Sequence, residues 1–322
     1  MMMTDSDLAL PHRFGFLLLP GFALMSYAST VEPLRAANLL AGRGLYAWRH
    51  FSPDGQAVRA STGMAVAVDG GLPRRAEIDT LIVCAGGNRI DFQAPAVLSR
   101  LRLLARQGVR LGGVSGGPVV LARAGVLDGY RCTVHWEHAA AFREEFPRLN
   151  LTGTLYEIDR GRLTCAGGIA AIDMMHALIG RDHGPGLAAQ VNEWFLQNRI
   201  REGGSAQRMD PGDRLGLADP RLARVIAAME ARIEEPLPRD ALAALAGLSP
   251  RQLERLFSAA LGMGPGRYYQ NLRLERARSL LRQTALTVAE IAVACGFVSP
   301  AHFSRAYRAL FGVAPRDTRG RG

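Results

Sequence analysis

The chain contains no lysine: all 39 of its basic residues are arginine. That absence reads as codon usage, although the planar guanidinium suits bidentate contacts. Long apolar runs are missing too. None approaches the roughly 18 residues needed to cross a bilayer, so no membrane span is expected. Cysteine is sparse, with Cys84, Cys132, Cys165 and Cys295 far apart and set among apolar neighbours. Their spacing excludes a thiolate metal site and suits reduced thiols in a cytoplasm. The N-terminal Met-Met-Met-Thr-Asp-Ser-Asp is short and acidic, which is not the pattern of a secretory signal. With 322 residues, 48% hydrophobic and 21% charged, the chain fits a globular protein of two or three domains.

What is present is unevenly distributed. Residues 219–322 hold sixteen arginines against nine acids, and residues 1–218 hold twenty-three against twenty. Most of the net charge of +10 therefore sits in the last third, as in a nucleic-acid binder. The same third carries a repeat. In residues 287–315, Val288, Ile291 and Ala292 recur at helical spacing and Gly296 marks a turn. Ser299-Pro300 restarts a helix with a capping hydroxyl and a proline at its first position. Phe303, Tyr307 and Leu310 are expected on its buried face, with His302, Arg305 and Arg308 outward. This is the pattern of a helix-turn-helix, whose second helix enters the DNA major groove. Fifty residues earlier, Ser249-Pro250, Arg255, Phe257, Gly262 and Pro265 stand as Ser299-Pro300, Arg305, Tyr307, Gly312 and Pro315. Ala243 and Gly247 match Ala292 and Gly296.

The repeat and its flanks, over roughly residues 219–318, resemble the AraC/XylS family of transcription regulators. The core of that family's signature stands here as Gly296-Phe297-Val298-Ser299 followed by Phe303. The family usually closes with Pro-x-x-Tyr, whereas this chain has Pro315-Arg316-Asp317-Thr318, which predicts looser C-terminal packing. A long helix over 265–284, about 30 Å at 1.5 Å per residue, would hold the two reading helices one DNA turn apart. DNA contacts are expected from their first turns: Arg251, Gln252 and Arg255 in one, Ser299, Pro300, His302 and Arg305 in the other. Arginine pairs bidentately with guanine and glutamine with adenine.

The first two thirds read as α/β. Phe14-Gly-Phe-Leu-Leu-Leu19 and Asp79-Thr-Leu-Ile-Val-Cys84 are strands buried on both faces. Strands are also expected over 45–51, 63–69 and 109–114, with helices over 23–40 and 95–107. Glycines at the strand ends argue for an open, mostly parallel sheet, a flavodoxin-like sandwich that binds ligands beyond the strands' carboxyl ends. Gly113-Val114-Ser115-Gly116-Gly117 matches the Gly-x-Ser-x-Gly elbow of hydrolases, and His135 follows twenty residues on. The same glycines serve a turn that only cradles a ligand.

Residues 13–185 resemble the ThiJ/PfpI, class I glutamine amidotransferase-like domain that one AraC subgroup carries as a sensor. The matching residues are Leu19-Pro-Gly-Phe22, Cys84-Ala-Gly-Gly87, Val114-Ser-Gly-Gly117, Thr133-Val-His-Trp136 and Cys165-Ala-Gly-Gly168. In catalytic relatives the elbow residue is a cysteine, helped by a histidine and by an acid after the first strand. Here the elbow is Ser115 and Phe22-Ala-Leu-Met25 offers no acid, so a binding pocket is expected instead of an enzyme. Its expected lining is Gly87, Asn88, Ser115, Gly116, His135 and Trp136. His135 also suits a satisfied structural histidine, and Trp136 plain core packing. Asp173 serves either a local salt bridge or the pocket. Residues 185–198 carry a stripe of Leu187, Val191, Trp194 and Phe195 that packs on the sheet or on a second subunit.

Taken together, residues 1–198 read as a ligand-sensing domain, 199–218 as a polar, glycine-rich linker, and 219–322 as an all-α DNA-binding domain with two helix-turn-helix motifs. The resemblance implies a cytoplasmic transcription activator without metal or cofactor. Its partners would be operator DNA, a second subunit, RNA polymerase and a small effector. The effector class it implies is arginine, glycine betaine or carnitine. The rival reading is a Ser115-dependent hydrolase or amidase fused to a DNA-binding domain.

Overall fold

The computed structural model describes residues 10–74, 77–87 and 92–319, and the chain divides into two compact units, Met1–Gln207 and Arg208–Gly322. In the first unit, β1 (His12–Leu18) leads through α1 (Leu24–Ala41) to β2 (Tyr46–Ser52). Three two-residue strands follow: β3 (Val58–Arg59), β4 (Ala65–Val66) and β5 (Gly70–Gly71). Then come β6 (Thr80–Ala85), α2 (Pro95–Arg106), β7 (Arg110–Ser115) and α3 (Gly117–Arg123). The unit closes with β8 (Arg131–Cys132), α4 (Ala139–Glu145), β9 (Asn150–Leu151), β10 (Tyr156–Asp159), β11 (Arg162–Cys165), α5 (Ala170–His183) and α6 (Pro185–Trp194).

Seven strands form one sheet in the order β10-β11-β7-β6-β1-β2-β5. All its pairings are parallel except β10 with β11. Strands β1 and β6 lie at its centre, which is why both are buried and free of polar side chains beyond their first residues, over 14–18 and 81–85. Phe14, Phe16 and Leu18 of β1 and Ile82 and Cys84 of β6 share a core with α1, α5 and α6. The fold class expected from the sequence is the one observed.

Two local readings need correction. Residues 63–69 do not form a strand of their own: only Ala65–Val66 pairs, with β3, and Met64 is exposed. The alternation there is flanked by Gly63, Gly70 and Gly71, with Gly63 and Gly70 at positive φ, so the chain turns before a ladder extends. On α6, Val191 is buried and Leu187 and Phe195 pack partly buried against the same core, so of the stripe only Trp194 is half exposed.

The segment that follows is held down. Arg201 pairs with Asp173 at 2.6 Å, and Asp173 is only 1% exposed. Gly203 O accepts from Leu155 N–H, and Ala206 bridges Thr154. From Arg208 onward the chain is tied to the second unit, where Arg208 and Arg214 both reach Glu230. The boundary between the units thus falls inside the stretch read from composition as a linker.

The second unit is helical: α7 (Pro211–Leu215), α8 (Pro220–Ala231), α9 (Arg239–Ala246), α10 (Pro250–Leu261), α11 (Pro265–Gln283), α12 (Val288–Ala294), α13 (Pro300–Phe311) and α14 (Pro315–Thr318). Burial repeats position for position between residues 251–267 and 301–317. Leu310 falls outside the buried face assigned to it and is 39% exposed, matching its exposed counterpart Ala260.

At the C-terminus, Thr318 is buried and its hydroxyl shares a 2.9 Å hydrogen bond with the Tyr307 hydroxyl. A cleft of about 180 Å³ lined by Arg278, Arg282, Phe311 and Val313 remains beside them. Thr318→Val keeps the shape and strands the buried Tyr307 hydroxyl. The expected cost is about 1–2 kcal/mol, read as a lower midpoint of denaturant unfolding of the second unit.

Candidate functional site

The first candidate region lies at the carboxyl ends of the parallel strands. Strand β7 delivers Ser115 into a sharp turn, and α3 begins two residues later. Ser115 has φ 58°, a conformation that side chains avoid and that a strand-to-helix elbow imposes. The elbow is built against neighbouring backbone. A Cβ on Gly117 would lie 2.1 Å from Val83 O, and one on Gly116 2.6 Å from Gly87 O. Gly86, Gly87, Ser115 and Gly116 are therefore brought together. Gly116 N–H donates to Ala85 O, so that amide is spent inside the fold. Asn88 lies outside the described residues.

Beside Ser115 the Gly167-Gly168 motif meets one residue that the sequence motifs had not singled out, Ser26. A Cβ on Gly167 would come within 2.9 Å of Ser115 Cα and Cβ and 3.0 Å of Ser26 Oγ. Ser26, buried in the first turn of α1, accepts from Gly168 N–H at 2.8 Å. It places a hydroxyl beside the elbow, on the first helix where catalytic relatives are expected to place an acid. Helical periodicity marks Ser26 only as a buried polar position, so nothing local had announced its contact.

The second wall follows β8. Thr133 N–H donates to Thr164 Oγ1 of β11, and β11 pairs with β7 at Cys165 and Val114. The elbow and the Thr133–Trp136 segment therefore flank the same end of β11. His135 is half-buried between Trp136 and His138, with ring centroids 5.3 and 5.8 Å away. Burial, then His138, hold its pKa below the ordinary imidazole value, against the pull of Glu137. Its Nδ1 lies 3.4 Å from Glu137 N and 3.9 Å from the Glu137 carboxylate. Trp136 is 45% exposed, which excludes plain core packing. Among the described residues, Ser115 and His135 share no hydrogen bond. Asp173 belongs to its pair with Arg201. The four cysteines are buried and none forms a disulfide; burial pushes the Cys165 thiol up to about 12, so it carries no thiolate.

The second candidate region is the pair of helix-turn-helix motifs, α9–α10 and α12–α13. Ser249 caps α10 in a capping box with Gln252, whose amide oxygen accepts from Ser249 N–H and Oγ at 2.9 Å. Gln252 thus keeps only its amide NH2 for an outside partner. Ser299 Oγ accepts from His302 N–H, and the His302 ring lies edge-on to Phe297. Pro300 occupies the first position of α13. Arg251, Arg255, Arg305 and Arg308 are exposed and, among the described residues, their side chains have no ion pair or hydrogen bond. By contrast Arg239 pairs with Glu254 and Arg278 with Glu275.

The turn of the second motif is fixed from outside. Gly296 has φ 71°, and a Cβ there would lie 2.7 Å from Ile233 O and Glu234 O. Arg273 of α11 donates to Cys295 O and Gly296 O and stacks on Phe297 at 4.0 Å. The nineteen residues of α11 span about 28 Å, and the next turn of the major groove is about 34 Å away. Two capped, arginine-bearing helices joined by such a strut define a DNA-binding transcription regulator, here preceded by an α/β unit.

Comparison with known proteins agrees. Residues 13–180 match the DJ-1/PfpI family model and residues 242–321 a helix-turn-helix domain model. The transcriptional regulator GbdR of Pseudomonas aeruginosa is 48% identical over 96% of this chain and 84% of its own. The transcriptional regulator GlxA of Rhizobium meliloti is 46% identical over 99% of both chains. A solved AraC family transcriptional regulator from Pseudomonas putida shares 34% identity with a TM-score of 0.54, covering 57% of this chain and all of that one. The chain belongs to the AraC-type transcriptional regulators that carry a DJ-1/PfpI domain ahead of the helix-turn-helix domain. It binds DNA and regulates transcription. No described helix is long and apolar enough to cross a membrane.

Proposed function

We propose that the N-terminal unit senses a small amino or quaternary ammonium metabolite of the arginine, glycine betaine or carnitine class, and that its occupancy controls an activator. The ligand would lie between the elbow (Gly87, Ser115, Gly116) and the His135–Trp136 wall, with Asn88 as a further proposed contact. The observation that carries this is Trp136: an indole 45% exposed at the strands' carboxyl end, beside an imidazole whose pKa is lowered by burial. An aromatic face at such a place suits a cationic head group, which a charged histidine would repel. Arg251, Gln252, Arg255, Ser299, Pro300, His302 and Arg305 are the proposed operator contacts. A second subunit fits the exposed Met25, Ile169 and Trp194 at the ends of α1, α5 and α6, and RNA polymerase is the further partner that activation requires.

Thermal unfolding with each of the three compounds tests the effector. A ligand at one hundred times its Kd adds about 2.7 kcal/mol, or about 5–10 °C in Tm. No shift with any of them removes this effector class.

The hydrolase reading is disfavoured by the missing Ser115–His135 bond and by a hydroxyl, Ser26, standing beside the elbow. Ser115→Ala is expected to keep the effector-dependent change in operator binding. Ester or amide turnover that disappears in this variant would establish the enzyme instead.

A further inference from the structure

Gln207 is the last residue of the first unit, and its side-chain amide is bonded at both ends to the wall of the proposed effector cleft. Its Oε1 accepts from Trp136 N–H at 2.7 Å. Its Nε2 donates to Thr154 O at 2.7 Å, Val134 O at 2.9 Å and Thr133 Oγ1 at 3.1 Å. An amide NH2 has two protons, so three acceptors share them, and all belong to the wall or to the strand end behind it. Thr133 and Thr154 are themselves joined, since Thr133 Oγ1 donates to Thr154 O. The next residue, Arg208, is the first of the second unit and pairs with Glu230 of α8. One peptide bond therefore separates a side chain gripping the wall from a side chain gripping the DNA-binding unit.

We propose that Gln207 is the coupling residue of this regulator: it converts a change at the His135–Trp136 wall into a change at the start of the DNA-binding unit. The inference rests on the effector-site reading given above. A ligand that moves the Trp136 backbone alters the bond to Gln207 Oε1. The bonds to Thr133 Oγ1 and Val134 O, on the same segment as Trp136, make the side chain follow that wall, and Arg208 is displaced with it. Residue chemistry explains why glutamine is used. The position needs an acceptor toward Trp136 N–H and a donor toward two carbonyls, and a planar amide offers both. Glutamate has nearly the same shape but sets an oxygen against Val134 O and Thr154 O. Alanine removes every bond. Coupling of this kind is reciprocal, so operator DNA must change effector affinity by the factor through which effector changes operator affinity.

The test uses the full chain, DNA selected by binding from a random pool, and glycine betaine, carnitine and arginine as probes. In the wild type the ratio of operator affinities with and without the active probe should differ from one, and the reciprocal ratio should match it. Gln207→Ala and Gln207→Glu should still show a thermal shift with the probe while both ratios fall toward one. Either variant keeping the full wild-type ratios overturns the proposal. A merely structural role would lower Tm and leave the ratios in place. Hydrogen exchange without ligand supplies an arm independent of the effector. Gln207→Glu should speed exchange at the Trp136 amide and also across residues 208–218. Faster exchange at Trp136 with no change beyond residue 207 overturns the coupling. If no probe binds the wild type, the effector class fails and the exchange result alone decides Gln207.

Discussion

Replacing Arg255 and Arg305 together by alanine is expected to weaken operator binding by roughly two to four orders of magnitude while the second unit stays folded. Both residues are exposed in the second turns of α10 and α13, and neither side chain has an ion pair or hydrogen bond among the described residues. Removing them therefore strands no partner, and the burial of Leu253, Phe257, Phe303 and Tyr307 is untouched. A good bidentate base contact contributes about 1–3 kcal/mol of discrimination. The two sites lie at opposite ends of a helix about 28 Å long, so their effects should add. Gel-shift titration against specific and scrambled DNA measures this. Base contacts predict a loss concentrated on the specific sequence. Phosphate contacts predict an equal loss on both, with the salt slope falling by about one for each arginine. Specific affinity within threefold of the wild type in the double variant would sink the assignment.

The two regions differed in how far they could be read in advance. The helix-turn-helix pair was legible because caps, turn glycines and period-3.6 burial are local: α10 and α13 run as the serine and proline signals indicated. Buried strands such as β1 and β6 were legible for the same reason, since centrality in a parallel sheet shows as an unbroken apolar run. The elbow and its surroundings were legible only in outline. Ser115 and Gly116 announce an elbow, but Ser26 approaches it from α1 through one side-chain-to-backbone bond. Such a bond has no period and no spacing. Gln207 is the sharper case: its polar, glycine-rich surroundings are what a linker looks like, and its four bonds reach back over fifty or more residues. Composition reports whether a segment can form its own core, not whether another core holds it.

The tie that presses this segment onto the first unit gives the largest expected stability effect. Asp173 is 1% exposed, and both its oxygens are used by Arg201: Oδ1 accepts from the backbone N–H, while Oδ2 takes Nε at 3.0 Å and Nη2 at 2.6 Å. Arg201→Met removes the cation and leaves a carboxylate buried with a backbone N–H and the distant Gln197 amide. Breaking one half of a buried pair costs about 3–5 kcal/mol. The Arg201 side chain is 31% exposed, so water relieves part of that penalty and about 3 kcal/mol is the expected figure. For a unit of this size that lowers Tm by about 6–12 °C in calorimetry. The cost belongs to the stranded charge more than to the lost attraction, so a second change should reverse it. Asp173→Leu added to Arg201→Met is expected to recover most of the stability, because an apolar pair of similar volume needs no compensation. A double variant as unstable as Arg201→Met alone would show instead that the charge-assisted bonds themselves hold residues 201–207 in place. A Tm for Arg201→Met within 1 °C of the wild type would remove the pair from the list of forces anchoring that segment.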